Sequence, residues 1–182
     1  MFDYLRTGLA SNHAIAGGPM QTVVAGIGEA DPADVRAIAT YVVSLMGEWS
    51  PERKAQAAAR MERAGQPLAG SAATGGASMS DGAAVYASAC ASCHDRGRRI
   101  ASDGALQMPL AIAVYDPDPR SLLRIIRAGI APREGERGRW MPAFGEALTD
   151  TQLTALAAYL RSYAADAFPW PDLEHRVKEL SR

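Results

Sequence analysis

Cysteine is scarce in this sequence: Cys90 and Cys93 are the only two among 182 residues. Because just two residues separate them, they cannot join distant segments through a disulfide. The chain is therefore not a disulfide-stabilised scaffold of the kind found among small secreted proteins. Any chemistry that the two thiols share must be local.

An excess of one charge and long apolar runs are also lacking. Nineteen basic and 20 acidic residues give a net charge of −1, which predicts no bulk attraction to nucleic acid or anionic lipid. No apolar run approaches the roughly 18 residues that a membrane-spanning helix needs. Apolar residues still make up 48% of the chain, which is enough for the core of a soluble globular protein.

The sequence contains an internal repeat. Residues 3–10 match residues 124–131. In each copy a methionine lies twelve residues after a glycine: Gly8 and Met20, then Gly129 and Met141. Beyond the methionines, residues 31–45 match residues 149–163, with a three-residue difference in spacing. The same structural element is therefore predicted twice.

The later parts of the two copies both predict helices. Thr149 and Gln152 have the spacing of a capping box, while Asp31 can cap the earlier helix and Pro32 suits its first position. Each segment has an apolar stripe at helical spacing, formed by Val35, Ile38, Ala39 and Val42 in one and by Leu153, Leu156, Ala157 and Leu160 in the other.

An all-α chain of four parts is predicted. They are an incomplete domain over residues 1–47, a linker over 48–79, a complete domain over 80–166 and a tail with a short helix over 167–182. The linker starts with an Ala/Arg/Glu-rich, solvated helix from Ser50 to Ala64, and a flexible Gly/Ala/Ser-rich stretch follows. A helix starting at Ser80 or Asp81 leads into the cysteines, with Gly82 and Tyr86 suited to crossing the terminal helix near Tyr159.

Residues 90–94 have the pattern Cys-x-x-Cys-His, which attaches c-type haem through two thioethers and places the histidine on the iron. A thioredoxin-like redox pair belongs with alternating strands and helices, which this sequence does not predict. A zinc site needs further ligands, and the remaining histidines, His13 and His175, are far away without ligand spacing. Covalent haem is favoured over these and over a local disulfide.

Met141 is the predicted distal ligand. It lies in a loop just before the terminal helix, whereas Met108 is only 14 residues after His94 and is expected near the haem wall with Pro109 and Leu110. Sulfur opposite imidazole favours the ferrous state and leaves no vacant position for oxygen or peroxide. Several arginines flank the site, and one or two are expected to pair with haem propionates: Arg96, Arg98, Arg99, Arg120, Arg124 and Arg127.

Residues 80–165 resemble a class I cytochrome c domain. The chain as a whole resembles the multi-haem cytochrome subunits of bacterial alcohol and aldehyde dehydrogenases, and of molybdenum hydroxylases of the nicotinate or isoquinoline type. The stretches that carry this resemblance are His13–Met20, Asp34–Tyr41, Pro117–Arg124, Met141–Gly145 and Trp170–Leu173.

The resemblance implies a class I cytochrome c fold, with Cys90, Cys93, His94 and Met141 holding one haem c. Residues 1–47 match the C-terminal half of the preceding haem domain, and Met20 matches its distal ligand. Its attachment motif has no room in the seven residues before Gly8, so the chain is expected to be truncated, or the front half comes from another polypeptide. Met20 then binds no haem here, and His13 is expected at a surface or a haem edge.

The implied function is electron transfer without substrate chemistry of its own. The donor would be a dehydrogenase catalytic subunit of the molybdenum hydroxylase or quinoprotein type, and the acceptor a quinone, a terminal oxidase or another cytochrome. A free mono-haem shuttle is one alternative, and a haem peroxidase or gas sensor with an open iron position is another. Haem of this type is attached outside the cytoplasmic membrane, which implies the periplasm although the sequence starts without an export signal.

Overall fold

The computed structural model describes residues 1–10, 14–65, 77–95, 105–131, 141–165 and 167–181. Helices account for most of this part of the chain, which confirms the all-α class. The helices are α1 (Phe2–Thr7), α2 (Pro19–Gly28), α3 (Pro32–Leu45), α4 (Pro51–Ala64), α5 (Ala77–Val85), α6 (Ala91–His94), α7 (Arg120–Ala128), α8 (Asp150–Ala165) and α9 (Leu173–Glu179). Two short strands, β1 (Leu9–Ala10) and β2 (Ala14–Ile15), form an antiparallel pair. Within the described ranges, no helix combines the length and the apolar character that crossing a bilayer requires.

The first part of the sequence repeat is also a structural repeat. α1 ends at Gly8 and α7 ends at Gly129, with φ angles of 74° and 68°. Positive φ is easy only for glycine, which explains why both copies carry this residue at the same point. In each copy the glycine N–H donates to a carbonyl of the last helical turn, that of Tyr4 or that of Ile125.

The second part of the repeat starts both helices as expected. The Asp31 carboxylate accepts a hydrogen bond of 2.7 Å from the Ala33 N–H at the start of α3. At the start of α8 the Gln152 N–H donates to the Thr149 hydroxyl, and the Thr149 N–H donates to the Gln152 side chain, at 3.2 and 2.9 Å. This reciprocal pair confirms the capping box.

The two copies differ at the methionine. Met20 lies in the first turn of α2 directly after Pro19, whereas Met141 is extended and pairs with Ile130. Proline at the first helical position is compatible with a helix that continues through the next residue. Pro142 instead follows its methionine, and a residue before proline is driven out of the helical region. The position of the proline, before Met20 but after Met141, accounts for the difference in backbone conformation.

The helix that leads to the cysteines crosses α8 in close contact. It begins at Ala77, three residues before the earlier of the two expected starts. A Cβ atom added to Gly82 would lie 2.2 Å from the Ala155 carbonyl oxygen and 2.7 Å from the Tyr159 Cβ. The rings of Tyr86 and Tyr159 pack 5.7 Å apart in the same crossing. The predicted glycine notch is therefore confirmed.

Most of the buried apolar side chains form one core around α8. The stripe predicted for this helix is buried throughout, and α5, α7 and α9 add further members. A second, smaller core joins α1 to α3 through Leu5, Val35 and Ala39. It covers its helix incompletely: Ile38 and Tyr41 are 40% and 65% exposed, whereas their repeat counterparts on α8, Leu156 and Tyr159, are fully buried.

The linker helix is not wholly solvated, contrary to the sequence-based expectation. α4 starts with a Ser50 cap as predicted, but its last turn lies against the segment 108–110. The Arg60 guanidinium sits 3.8 Å from the centre of the Tyr115 ring, and Ala64 is buried. The small side chain of Ala64 leaves room for this approach, which patterning along α4 alone does not reveal.

The C-terminal tail packs against its own domain, as the favoured interpretation expected. The Trp170 indole donates a hydrogen bond of 2.8 Å to the Asp116 carbonyl, and the Arg161 guanidinium covers its ring. Leu173 and Val177 of α9 are buried in the main core. The Arg127 guanidinium ties α7 to the Asp150 carboxylate at 2.6 Å and also contacts Ser181 beyond α9.

Candidate haem site

A cavity of about 440 Å³ lies beside the main core, with predominantly apolar walls. Four of the residues singled out in the sequence reach it: Cys90, Cys93, His94 and Met141. Apolar residues of α7, α8 and the loop between them complete much of the wall: Leu122, Ile125, Ile126, Ile130, Phe144, Leu156 and Leu160. The volume falls within the usual range for a small-molecule or cofactor site.

The attachment motif follows a widened helical turn. Over Tyr86–Cys90 the chain is π-helical, and the Ala91 N–H donates to the Tyr86 carbonyl five residues earlier. The Tyr86 hydroxyl donates a buried hydrogen bond of 2.7 Å to the Asp95 carboxylate. Because Tyr86 precedes the motif and Asp95 follows it, this bond ties both ends of the segment that carries the two thiols.

The two thiols differ in environment. Burial, followed by the neighbouring Cys93, raises the pKa of the Cys90 thiol to about 12, whereas Cys93 is exposed. Cys90 packs against the main core while Cys93 stands at its edge. The two thiols lie within one helical turn and face one cavity, as attachment of both to a single porphyrin requires.

The orientation of His94 is set by a backbone carbonyl. Its Nδ1 atom donates a hydrogen bond of 2.7 Å to the Leu106 carbonyl oxygen. With the proton held at Nδ1, the other ring nitrogen, Nε2, is left as a lone-pair donor for a metal ion. Burial lowers the pKa of His94, which favours the neutral imidazole that ligation needs. The role of Leu106 had no signal in the sequence, because any residue can supply a carbonyl.

Met141 is held by its backbone. Its N–H donates to the Ile130 carbonyl at 3.0 Å, and its carbonyl accepts from the Ile130 N–H at 2.9 Å. Just beyond it, the Phe144 and Gly145 N–H groups donate to carbonyls of α7. These bonds hold residues 141–145, here called the methionine strap, against the end of α7, and Met141 lines the cavity.

Two further methionines, Met108 and Met20, reach the same cavity. Met108 follows by two residues Leu106, whose carbonyl accepts the hydrogen bond from His94 Nδ1. Met20 comes from α2, together with Tyr4, Ile15 and other residues of the N-terminal part of the chain. That this part lines the cavity was not predicted from the sequence.

Three residues expected in the haem pocket do not line this cavity. Pro109 and Leu110 are buried in the turn that packs against α4 and α8. Successive side chains of such a tight turn point in different directions, so only Met108 of the three faces the cavity. Arg124 is exposed on α7, whose buried face carries Leu122, Leu123 and Ile126.

The other polar candidates divide into two groups. Arg120 and Arg127 already pair with carboxylates, those of Asp118 and Asp150. His13, Arg96, Arg98 and Arg99 lie outside the described residues.

The residues on the cavity wall fit a haem group. Two thiols, an imidazole with its Nε2 available and a thioether line a predominantly apolar space, and this donor set suits covalent attachment and axial ligation. Residues 77–160 match the family model described as cytochrome c oxidase, cbb3-type, subunit III. They form a cytochrome c domain. Covalently bound haem c is the cofactor of such a domain, and electron transfer is its function.

Relatives of the cytochrome c domain and its flanking residues are dehydrogenase components. The chain is 35% identical to one of the subunits of nicotinate dehydrogenase from Pseudomonas putida, over 99% of this chain and 14% of that protein. It is 31% identical to the fructose dehydrogenase cytochrome subunit of Gluconobacter japonicus, over 92% of this chain and 37% of that subunit. It is 30% identical to the gluconate 2-dehydrogenase cytochrome c subunit of Pantoea cypripedii, over 87% of this chain and 35% of that subunit. The chain thus spans little more than a third of these relatives at most, and the resemblance to dehydrogenase cytochrome subunits is confirmed.

Proposed function

We propose that the cytochrome c domain transfers electrons through one haem c, bound at Cys90 and Cys93, with His94 and Met141 as the axial ligands. The convergence of these four side chains on one apolar cavity is the observation that carries the proposal. Haem c supplies a one-electron ferric/ferrous couple when bound.

In this function the protein orients the two axial ligands and keeps water out of the cavity. The Leu106 carbonyl keeps the His94 proton at Nδ1, so the ring presents Nε2 to the cavity in one orientation. The Ile130 backbone holds Met141, and a thioether favours the lower charge of the reduced state. The apolar wall reinforces this preference, because it offers little stabilisation to the extra positive charge of the oxidised state.

The proposal is tested on the purified ferric holoprotein. We expect a weak far-red charge-transfer band, typical of a sulfur–iron bond, one haem per chain by the pyridine haemochrome assay, and slow reaction with cyanide. A protein without the band that binds cyanide or CO readily would have an open iron position. That result would contradict the proposal and favour a peroxidase or a gas sensor.

Replacing Gly129 with alanine should displace Met141, although the Met141 side chain itself is unchanged. A Cβ at this position would lie 2.3 Å from the Met141 carbonyl oxygen, so the strap must move. Positive φ adds a strain of about 1 kcal/mol or more for a residue with a side chain. We expect a weaker far-red band and faster cyanide binding, measured on the ferric protein.

Gly47→Ala is the matched control for this prediction. Gly47 also has a positive φ, 71°, but nothing lies within 4 Å of its added Cβ. This variant carries the backbone strain without the collision, and its band should equal that of the wild type. Equal bands in both variants would mean that Gly129 does not position Met141.

The electron donor proposed for this chain is a dehydrogenase catalytic subunit, of the molybdenum hydroxylase or quinoprotein type. The names of the three relatives support this assignment. A quinone, a terminal oxidase or another cytochrome would accept the electrons. A dehydrogenase encoded beside this chain, supplied with its substrate, should reduce the ferric haem in a stopped-flow experiment. No reduction by that enzyme would leave the free shuttle as the better description.

The domain limits proposed for this function are residues 1–47 for half of a second cytochrome c domain and 80–166 for the complete one. The exposed side chains of Ile38 and Tyr41 support the half-domain, because a helix like α5 covers their counterparts on α8. Such a helix, ending in its own Cys-x-x-Cys-His motif, would give Met20 a haem to bind. A native gene that encodes this motif upstream would yield more than one haem per polypeptide, which the haemochrome assay measures.

The proposed location is the periplasm, since haem is attached to this motif outside the cytoplasmic membrane. Haem staining of fractionated cells that express the native gene should give a labelled band in the periplasmic or membrane-associated fraction. Staining confined to the cytoplasm would contradict this location.

A further inference from the structure

The N-terminal part of the chain touches the backbone partner of Met141. Gly17 lies against α7 and the residues after it: an added Cβ would be 3.8 Å from the Ile130 Cγ1 and 4.0 Å from the Ile125 Cγ1. Four residues on, the Gln21 side-chain amide donates a hydrogen bond of 3.0 Å to the Ala131 carbonyl. The two contacts fall on consecutive residues, Ile130 and Ala131.

Ile130 is the residue through which these contacts reach the site. Both of its backbone groups are bonded to Met141, so a shift of Ile130 shifts Met141 with it. Gly17 and Ile130 both line the cavity, and Gly17 packs against the Ile130 side chain there. An added Cβ at Gly17 would be in ordinary contact with Ile130, whereas a longer side chain would have to displace it.

We infer that Gly17 and Gln21 are positioning residues for Met141, which hold the Ile130–Met141 pair against the cavity from outside the cytochrome c domain. They increase the fraction of molecules in which the Met141 sulfur occupies the axial ligand position. The inference rests on the proposed axial role of Met141. It also gives residues 14–21 a way to influence the redox site, because whatever displaces this segment loosens the strap.

Cyanide binding to the ferric holoprotein provides the test. Cyanide enters after the methionine leaves the iron, so its rate reports the fraction of molecules with the strap open. Gln21→Ala removes one hydrogen bond and should raise this rate about two- to tenfold, the effect expected for a single bond of this kind. Gly17→Leu inserts a branched side chain towards Ile130 and should raise the rate further, with a weaker far-red band.

Two conservative changes serve as matched controls. Gln56→Ala removes an amide from the exposed surface of α4, and its cyanide rate should stay at the wild-type value. Gly17→Ala adds a methyl group that would lie at ordinary van der Waals distance from its neighbours. This variant should behave like the wild type or bind cyanide slightly more slowly.

The possible outcomes separate the inference from the proposal on which it rests. A wild-type protein without the far-red band would overturn Met141 ligation itself. A wild-type band together with unchanged cyanide rates in Gln21→Ala and Gly17→Leu would overturn the positioning role alone. An equal rise in Gln56→Ala would also overturn it, since the effect would not belong to this contact. If Gly17→Leu fails to fold, Gln21→Ala still decides the question.

Discussion

Replacing Met141 with leucine should abolish the far-red band of the ferric protein and lower its reduction potential. Leucine has nearly the same volume as methionine, so the packing beside Phe144 and the main core is retained while the sulfur is lost. Without the thioether, the reduced state loses the ligand that favours it over the oxidised state. The expected drop is on the order of 0.1 V, a fraction of the roughly 0.8 V that axial ligands span. Redox titration followed in the visible spectrum measures it.

Met20→Leu and Met108→Leu are the matched controls for this prediction. Both residues reach the same cavity and lose the same atom. Because Met141 is the proposed ligand, neither variant should lose the band. Loss of the band in Met20→Leu, with an intact band in Met141→Leu, would instead make Met20 the ligand of this haem.

Replacing Gly82 with alanine should cause a large loss of stability. The new Cβ would lie 2.2 Å from the Ala155 carbonyl oxygen and 2.8 Å from its carbon, and both atoms belong to the backbone of α8. Backbone cannot rotate away as a side chain can, so α5 and α8 must separate. The Tyr86–Tyr159 contact would open with them. We expect a loss of about 3 kcal/mol or more in the free energy of unfolding, at the upper end of overpacking effects.

Gly26→Ala is the control, since it makes the same change in helix α2. Nothing lies within 4 Å of an added Cβ at Gly26, and alanine is a better helix former than glycine. This variant should be as stable as the wild type, or more stable by up to about 1 kcal/mol. Guanidinium denaturation of the two holoproteins, followed by circular dichroism, measures the difference. A Gly82→Ala protein as stable as wild type would show that the helix crossing can relax at little cost.

Local features of the sequence predicted their own structure well. The capping box of Thr149 and Gln152 and the Asp31 cap depend on residues within one helical turn, and both are present. The repeat marked Gly8 and Gly129 as equivalent, and the structure adds that each follows a helix with a positive φ that favours glycine. The role of Gly82 was foreseen because a small residue four positions before a buried tyrosine marks a close helix crossing.

The direction of a side chain depends on packing that the sequence does not display. Pro109 and Leu110 are buried in the turn beside α4 and α8 and are not among the residues on the cavity wall, so their contact with haem stays a prediction. The charged residues of α4 predict a solvated helix, while its contact with the cytochrome c domain involves the buried Ala64 and the guanidinium of Arg60 over the Tyr115 ring. Met20 and Met141 align in sequence but differ in backbone conformation, since a proline precedes one and follows the other.

The sequence by itself determined the chemistry of the site, because Cys90, Cys93 and His94 lie within five residues and need only one helical turn to act together. It also determined the repeat, whose caps and glycines are local. The tertiary structure alone decided that the Leu106 carbonyl orients His94, that Ile130 holds Met141, and that Tyr4, Ile15 and Met20 line the same cavity. These contacts are made by backbone atoms and by packing between separate segments of the chain. Neither kind of contact depends on a side-chain pattern that can be read from the sequence.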